Sequence, residues 1–294
     1  MKSKRLHIVY LSIIAFLTLV LGSVLFFHFD YIVFRQLISR HYIHTSTLDE
    51  LFEMHIGERP SSYGRYFDNL VISIVTQAIR AHDGDVYTYQ YNPRQRQARQ
   101  ERVLAVAAES YIVEVEPGVG LMNFRNFSRH SRGFVMDNRD LLASFDSLII
   151  DLRGNLGGDL PALYDIAGLF IDRGDTIGYE DTRWRIFTRR RRASGRVLYY
   201  DQIVILQDHR TASSSESFIM ALKENLDNVI TIGTTSFGKG IGQITLPLRR
   251  GFAVRATIMQ MQSPSGQNIQ GVGITPDIYY HGEDIINLAL SVID

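Results

Sequence analysis

Behind Lys2, Lys4 and Arg5, residues 8–27 form an apolar run of about 20 residues that carries no charge, and that is the length a helix needs to cross a bilayer. No other stretch limits the fold so strongly, because a run this long and apolar must be kept from water, by lipid or by a protein core. Signal-peptide apolar regions are commonly about 7–15 residues and end in a small-x-small cleavage site. Here the run is longer, and Gly22-Ser23 is a poor site. The reading is an uncleaved signal anchor, with a cleaved signal or a buried core helix as the competing readings. The basic cluster then stays in the cytoplasm, and everything after about residue 30 lies outside it. The expected division is a cytoplasmic stub and anchor over 1–30, a helical region and linker over 31–102, and a core over 103–294.

Composition narrows the chemistry. The formal net charge of this 294-residue chain is zero, so bulk charge makes no case for nucleic acid. There is no cysteine, which excludes disulfides, thiolate catalysis and cysteine-ligated zinc. The nine histidines show no metal-ligand spacing such as His-Glu-x-x-His, and no cofactor is expected.

Residues 67–79 carry apolar side chains at helical spacing, and Ser46 offers an N-cap before the apolar face of 48–52. Residues 60–64 break the region between them. The polar stretch 93–102 reads as a solvated linker or helix face, with membrane-surface contact as the sharper reading. From Val103 onward strands alternate with helices: strands at 111–115, 120–124, 147–152, within 197–206 and at 228–232, and helices at 160–171 and 214–226. Such alternation argues for an α/β core with helices packed over a sheet. Arg189-Arg190-Arg191-Arg192, between strand-like flanks at 184–187 and 197–200, reads as a charged hairpin tip or as a contact for anionic lipid or an acidic partner.

Two short segments carry chemistry. Ser213 stands in Thr211-Ala212-Ser213-Ser214-Ser215-Glu216, after an apolar strand and at the start of a helix. Lys239 stands in Phe237-Gly238-Lys239-Gly240, with Gln243 four residues on. A serine hydroxyl is a weak nucleophile until a base takes its proton. A lysine serves as that base only when burial brings its pKa well below about 10.4. Glycines on both sides of Lys239 let the backbone pack closely, and neutral Gln243 could hold the amine without adding charge. The Ser214 N–H would point out of the helix N-terminus, where an oxyanion is stabilised. A second donor is expected from the glycine turn Asp151-Leu152-Arg153-Gly154-Asn155-Leu156-Gly157-Gly158, at Gly157 or Gly158. Losing one such donor typically costs about 3–4 kcal/mol in the transition state. Each segment has a plainer reading: a helix cap with a capping-box acid at Glu216, a loop, and a strand–helix turn. His209 lies too close in sequence to Ser213 to reach it easily, with no acid placed to orient it. Gly240 stands where a phosphate loop needs Ser or Thr.

These segments, in this order and followed by Ser263-Pro264-Ser265-Gly266-Gln267-Asn268-Ile269-Gln270-Gly271-Val272-Gly273-Ile274-Thr275-Pro276-Asp277, resemble the carboxy-terminal processing (tail-specific) serine peptidases. The resemblance covers roughly 103–280, with a weaker echo at Asp83-Gly84-Asp85-Val86-Tyr87-Thr88. It implies a crotonase/ClpP-like α/β core and a Ser–Lys dyad: Ser213 as nucleophile, Lys239 as general base, Gln243 positioning the lysine, and the Ser214 N–H with Gly157 or Gly158 as oxyanion donors. It also implies a protein or peptide substrate and an extracytoplasmic site. Ser214 replaces the family's frequent alanine, so Ser215 is the fallback nucleophile, and Leu156 replaces a frequent proline. Only about 25 residues separate Tyr91 from Pro117, fewer than a PDZ domain needs. A catalytically silent peptide- or ligand-binding module, or a protease scaffold, is the alternative on the same fold, and hydrolysis of another acyl bond such as an ester is a third. Oligomeric state is open, a homodimer included.

Overall fold

The computed structural model of the protein describes residues 2–43, 67–183 and 188–293. Helices α1 (Lys2–His41) and α2 (Phe67–Asp83) are followed by strand β1 (Tyr89–Tyr91), helix α3 (Pro93–Ala107), strands β2 (Tyr111–Glu116) and β3 (Val119–Asn123), helices α4 (Arg129–Asp137) and α5 (Arg139–Leu142), strand β4 (Ser147–Asp151) and helix α6 (Leu160–Ala167). The chain continues through β5 (Thr176–Thr182), β6 (Arg189–Arg192), β7 (Gln202–Gln207), α7 (Ser214–Asn225), β8 (Val229–Gly233), β9 (Ile241–Pro247), β10 (Ala253–Gln262), β11 (Ile278–Tyr279) and α8 (Ile285–Leu290). The N-cap expected at Ser46, the breaker at 60–64 and the flank at 184–187 lie outside the described residues.

Two compact units divide the chain: Met1–Arg96 with Gln243–Thr257, and Gln97–Gly242 with Ile258–Asp294. Gln243–Thr257, inside the stretch expected as core, is thus grouped with the N-terminal residues.

In the first unit, α1 changes character along its length. Residues such as Leu11, Phe16 and Leu19 are exposed, whereas Phe34, Ile38 and Tyr42 are fully buried. The buried set recurs every four residues, one face of a helix. It packs in the same unit as Ile72, Val75 and Ile79, the buried stripe of α2. The echo motif is structural here. Buried Asp85 accepts hydrogen bonds from the Tyr87 N–H (2.9 Å), the Thr88 hydroxyl (2.6 Å) and the Thr257 hydroxyl (3.3 Å). That fixes β1 beside the first part of β10, with Tyr91 opposite Ala253.

The second unit is built on a six-stranded sheet in the order β11-β8-β7-β4-β3-β2, parallel except for β2. Parallel strands covered on both faces read as continuous apolar runs, which is why β4 and β7 are so hydrophobic. Alternate residues serve opposite faces. Leu148, Ile150, Ile203 and Ile205 pack in one core with α6 and α7. Ile149, Val204 and Leu206 pack in a second core with Ile285 and Ala289 of α8. Full burial of such a side chain is worth roughly 1.5–3 kcal/mol. The interval between β1 and β2 holds the single helix α3.

Three local expectations change. Helix α6 ends at Ala167 rather than at 171. Residues 197–200 form no strand. The four arginines are not a hairpin tip: they are β6 itself, antiparallel to β5. Arg191 holds the buried Glu180 carboxylate through two hydrogen bonds of 2.9 Å, and Arg190 donates to the Thr176 hydroxyl at 2.6 Å. The buried acid on the neighbouring strand makes a basic strand workable.

Candidate active site

β4, β7 and β8 run parallel and end side by side, at Asp151, Gln207 and Gly233. In open α/β sheets the crevice beyond the carboxyl ends of the strands is where ligands bind. The loops leaving those three ends are the three segments singled out in the sequence.

The first loop is the glycine turn. Asp151 accepts from Arg153 at three points: the main-chain N–H (3.0 Å), Nε (2.9 Å) and Nη2 (2.7 Å). This hydrogen-bonded carboxylate holds the Arg153 guanidinium above its already high pKa. Asn155 then shapes the turn. Its amide donates to the Phe124 carbonyl (2.7 Å), its Oδ1 accepts the Gly157 N–H (3.0 Å), and its main-chain carbonyl accepts the Ala212 N–H (3.0 Å) and the Ser215 hydroxyl (3.0 Å). Gly157 has φ +83°, and a Cβ there would lie 2.5 Å from the Ala212 carbonyl oxygen and 2.9 Å from Ser213 Cβ. Only glycine permits this approach.

The second loop carries the serines. Asp208 Oδ1 accepts N–H groups from Gly154 (2.9 Å), Arg210 (2.9 Å) and Thr211 (3.0 Å), tying the two loops together. The three serines separate cleanly. Ser214 is buried, its hydroxyl donating to the Gly158 carbonyl at 3.0 Å. Ser215 is buried and committed to Asn155. Ser213 alone is part-exposed, and it sits at φ 59°, ψ −117° at the head of α7. Holding a non-glycine residue in such a conformation costs on the order of 1–3 kcal/mol and is typical of functional positions.

The third loop carries Lys239, which is half-buried. Phe237 donates its N–H to the Thr211 carbonyl at 2.9 Å. A fully buried carboxylate, Glu216, then binds the second and third loops together. Its Oε2 accepts the N–H of Ser213 (2.7 Å) and of Lys239 (2.9 Å). Its Oε1 accepts the Gly238 N–H (2.6 Å) and the Ser236 hydroxyl (2.5 Å). Both candidate reacting residues thus hang by their main chain from one oxygen atom.

The run 263–277 explains itself against this loop. Ser236 and Ile274 exchange hydrogen bonds: the Ser236 N–H donates to the Ile274 carbonyl (3.1 Å) and the Ile274 N–H to the Ser236 hydroxyl (2.7 Å). The Gly271 N–H donates to the Gly238 carbonyl (2.8 Å), the Gly240 N–H to Gln270 Oε1 (2.9 Å), and the Asn268 amide to the Gly240 carbonyl (2.8 Å). Gly238 and Gly273 (φ +83° and +79°) pack where a Cβ would meet backbone at 2.8 and 2.4 Å. Farther on, Asp277 accepts the Thr231 N–H (2.8 Å) and the Lys223 ammonium (2.6 and 2.7 Å). Burial would raise the Asp277 pKa, but these bonds outweigh it and hold the carboxyl below its ordinary value.

The structure therefore brings together Ser213, Ser214, Gly157, Gly158 and Lys239 in the second unit. Of the two expected glycine donors, the Gly157 N–H is committed to Asn155 Oδ1. The Gly158 and Ser214 N–H groups meet no acceptor among the described residues. Gln243 belongs to the first unit, where its amide donates to the Tyr87 carbonyl. Sequence reasoning saw Glu216 only as a cap and missed Asn155, Asn268 and Gln270 as builders of the loops. The signal for Glu216 was present in its capping-box spacing. That spacing does not say that a carboxylate can accept from a second loop as well.

The sequence pattern of peptidase family S41 matches residues 118–280. Carboxyl-terminal-processing peptidase 3 of Arabidopsis thaliana, a chloroplastic protein, is 33% identical over 159 residues, covering 54% of this chain and 30% of its own length. The carboxyl-terminal-processing protease of Picosynechococcus sp. is 32% identical over 161 residues, 54% of this chain and 38% of its own length. The chain thus spans well under half the length of these relatives. Among solved structures, a lipoprotein from Streptococcus agalactiae matches with a TM-score of 0.69 at 16% identity, over 90% of this chain and 94% of its own. The photosystem II D1 C-terminal processing protease matches with a TM-score of 0.63 at 17% identity, over 87% and 93%. Identities this low speak to the fold alone.

Proposed function

The chain belongs to peptidase family S41, and from that premise we propose that it is a membrane-anchored serine endopeptidase. Ser213 is the nucleophile and Lys239 the general base, with Gln243 assisting the lysine. The observation that carries this reading is the shared Glu216 oxygen, which accepts the N–H of both Ser213 and Lys239. Ser213 Oγ attacks the scissile carbonyl as Lys239 takes its proton. The C–N bond then breaks as the proton passes to the leaving amine, leaving an acyl-enzyme, which water activated by the lysine resolves. The developing oxyanion is met by the Ser214 N–H, at the positive end of α7, and by the Gly158 N–H.

The anchor reading rests on α1. Residues His7–Val24 have a mean hydropathy of 2.2, and none of that window is buried. An apolar helix left exposed among the described residues is suited to lipid.

Cleavage of an unstructured polypeptide by the full chain in detergent tests the assignment. Ser213→Ala and Lys239→Ala are each expected to lower turnover by about 10³-fold or more without changing the thermal midpoint. Wild-type cleavage by Ser213→Ala sinks the nucleophile assignment. Inactive wild-type protein that binds peptide favours the silent binding module instead.

A further inference from the structure

Where α1 leaves its apolar window, the first unit places a basic hairpin tip against it. The β9–β10 turn is closed by the Leu248 N–H donating to the Phe252 carbonyl at 2.8 Å, and its tip is Arg249-Arg250-Gly251. Arg249 is stapled to the helix. Its main-chain N–H donates to both Asp30 oxygens at 3.1 Å, its guanidinium donates to the Phe26 carbonyl, and its Cζ lies 4.8 Å from the Phe29 ring centroid and 5.8 Å from that of Phe26. Phe26 and Phe29 are nearly half exposed, at 46% and 43%, and both arginines are exposed. Arg250 sits at φ 57°, a left-handed position that ordinarily favours glycine or asparagine, so a long cation stands where a loop alone would not choose one.

Height along the helix gives this cluster its meaning. At about 1.5 Å per residue, Asp30 lies roughly 4–5 Å beyond Phe27, where the apolar run ends, with Phe26 and Phe29 on either side of that end. The headgroup layer on each side of the hydrocarbon is about 5–8 Å deep. Exposed aromatic rings and arginines at that level are the pattern of a membrane interface. Two carboxylates share the recess: Asp30, which accepts the Arg249 N–H and also lies within reach of the Arg249 and Arg250 charges, and Asp68, held by the Tyr31 N–H (3.4 Å) and by His28, whose Nδ1 is 3.5 Å away.

We propose that the β9–β10 tip is a phospholipid contact: Arg250, supported by Arg249, meets the headgroup phosphates of anionic lipid in the leaflet from which α1 emerges. The inference rests on α1 spanning the bilayer. It adds that the first unit is held against the surface rather than swinging on the helix end.

The chain has no cysteine, so Pro247→Cys, at an exposed position beside the tip, takes a single fluorophore on the full-length protein. Nanodiscs of phosphatidylcholine, with and without phosphatidylglycerol, carry a nickel-chelating lipid as headgroup-level quencher. Quenching is expected to rise with phosphatidylglycerol, to fall about fivefold in surface occupancy on Arg250→Gln, and to survive Arg250→Lys. Quenching that ignores lipid charge and both substitutions, in protein that resists carbonate extraction, overturns the lipid contact alone. Carbonate release overturns the anchor and the contact with it. If inorganic phosphate gives the same fluorescence change in detergent, the site is one for soluble anion and the lipid assignment falls.

Discussion

Two carboxylates in the second unit are buried almost equally, Glu216 fully and Glu180 to 3% exposure, yet they are satisfied in different ways. Glu180, in the β5–β6 hairpin, has the Arg191 guanidinium in a two-bond pair and the Tyr164 hydroxyl at 2.8 Å. Burial first, and then the Glu180 charge, push the Tyr164 phenol above its ordinary pKa. Glu216, at the strand ends, accepts three main-chain N–H groups and one hydroxyl. The first carboxylate is paired with a side chain and fixes one strand to the next. The second is paired mainly with the backbone and fixes the position of two loops. A buried acid that collects main-chain donors from separate loops is a positioning device, and its removal is felt as geometry more than as lost charge.

Glu216→Gln carries the largest expected effect. An amide keeps the shape but sets its own N–H₂ against donors, and displacement of the loops by about 1 Å is enough for a 10²-fold loss of turnover. Measured kcat unchanged in a folded Glu216→Gln protein would break the comparison. Ser236→Ala removes one donor to that carboxylate. A lost charge-assisted bond of about 1.5–3 kcal/mol should appear in the chemical melting curve and, more weakly, in kcat. Glu180→Gln should lower stability by on the order of 1–2 kcal/mol. That figure is discounted from a fully buried pair because Arg191 is 37% exposed. Turnover per folded molecule should stay at the wild-type value, and a kcat deficit there would erase the distinction between the two acids.

The smallest effect concerns Asp277, whose folded pKa lies below its ordinary 3.8. Its contribution is complete above 3.8 and is lost as pH falls through the lower folded value. Asp277→Asn should therefore be slightly less stable at neutral pH and show a flatter acid limb in urea titrations. An unchanged acid limb would show that the Lys223 and Thr231 contacts do no such work.

Much of this architecture is written locally. The runs at 147–151 and 202–207 are apolar on both faces, and their place between helical stretches makes them buried strands of an α/β core. The Ser213 turn and the glycine turn announce themselves through residue types that only special backbone geometry requires. The rest depends on contacts between distant segments. Nothing near Arg189–Arg192 reveals that Glu180, across the strand pair, will absorb Arg191. Nothing in 243–257 says that this stretch folds with the N-terminal residues. Glu216 is legible as a cap for its own helix, but its bonds to Gly238 and Lys239 exist only once the fold closes.

The bonds that support the Lys239 loop come from Asn268, Gln270, Gly271 and Ile274, which the ribosome adds after both candidate residues, Ser213 and Lys239. A nascent chain that has emerged as far as Gly242 already carries the serine, the lysine and the acid between them, yet it lacks the segment that braces the lysine. The order of synthesis thus separates the two candidate residues from the brace, and a chain released early, or trimmed before Asn268, keeps both of them without it.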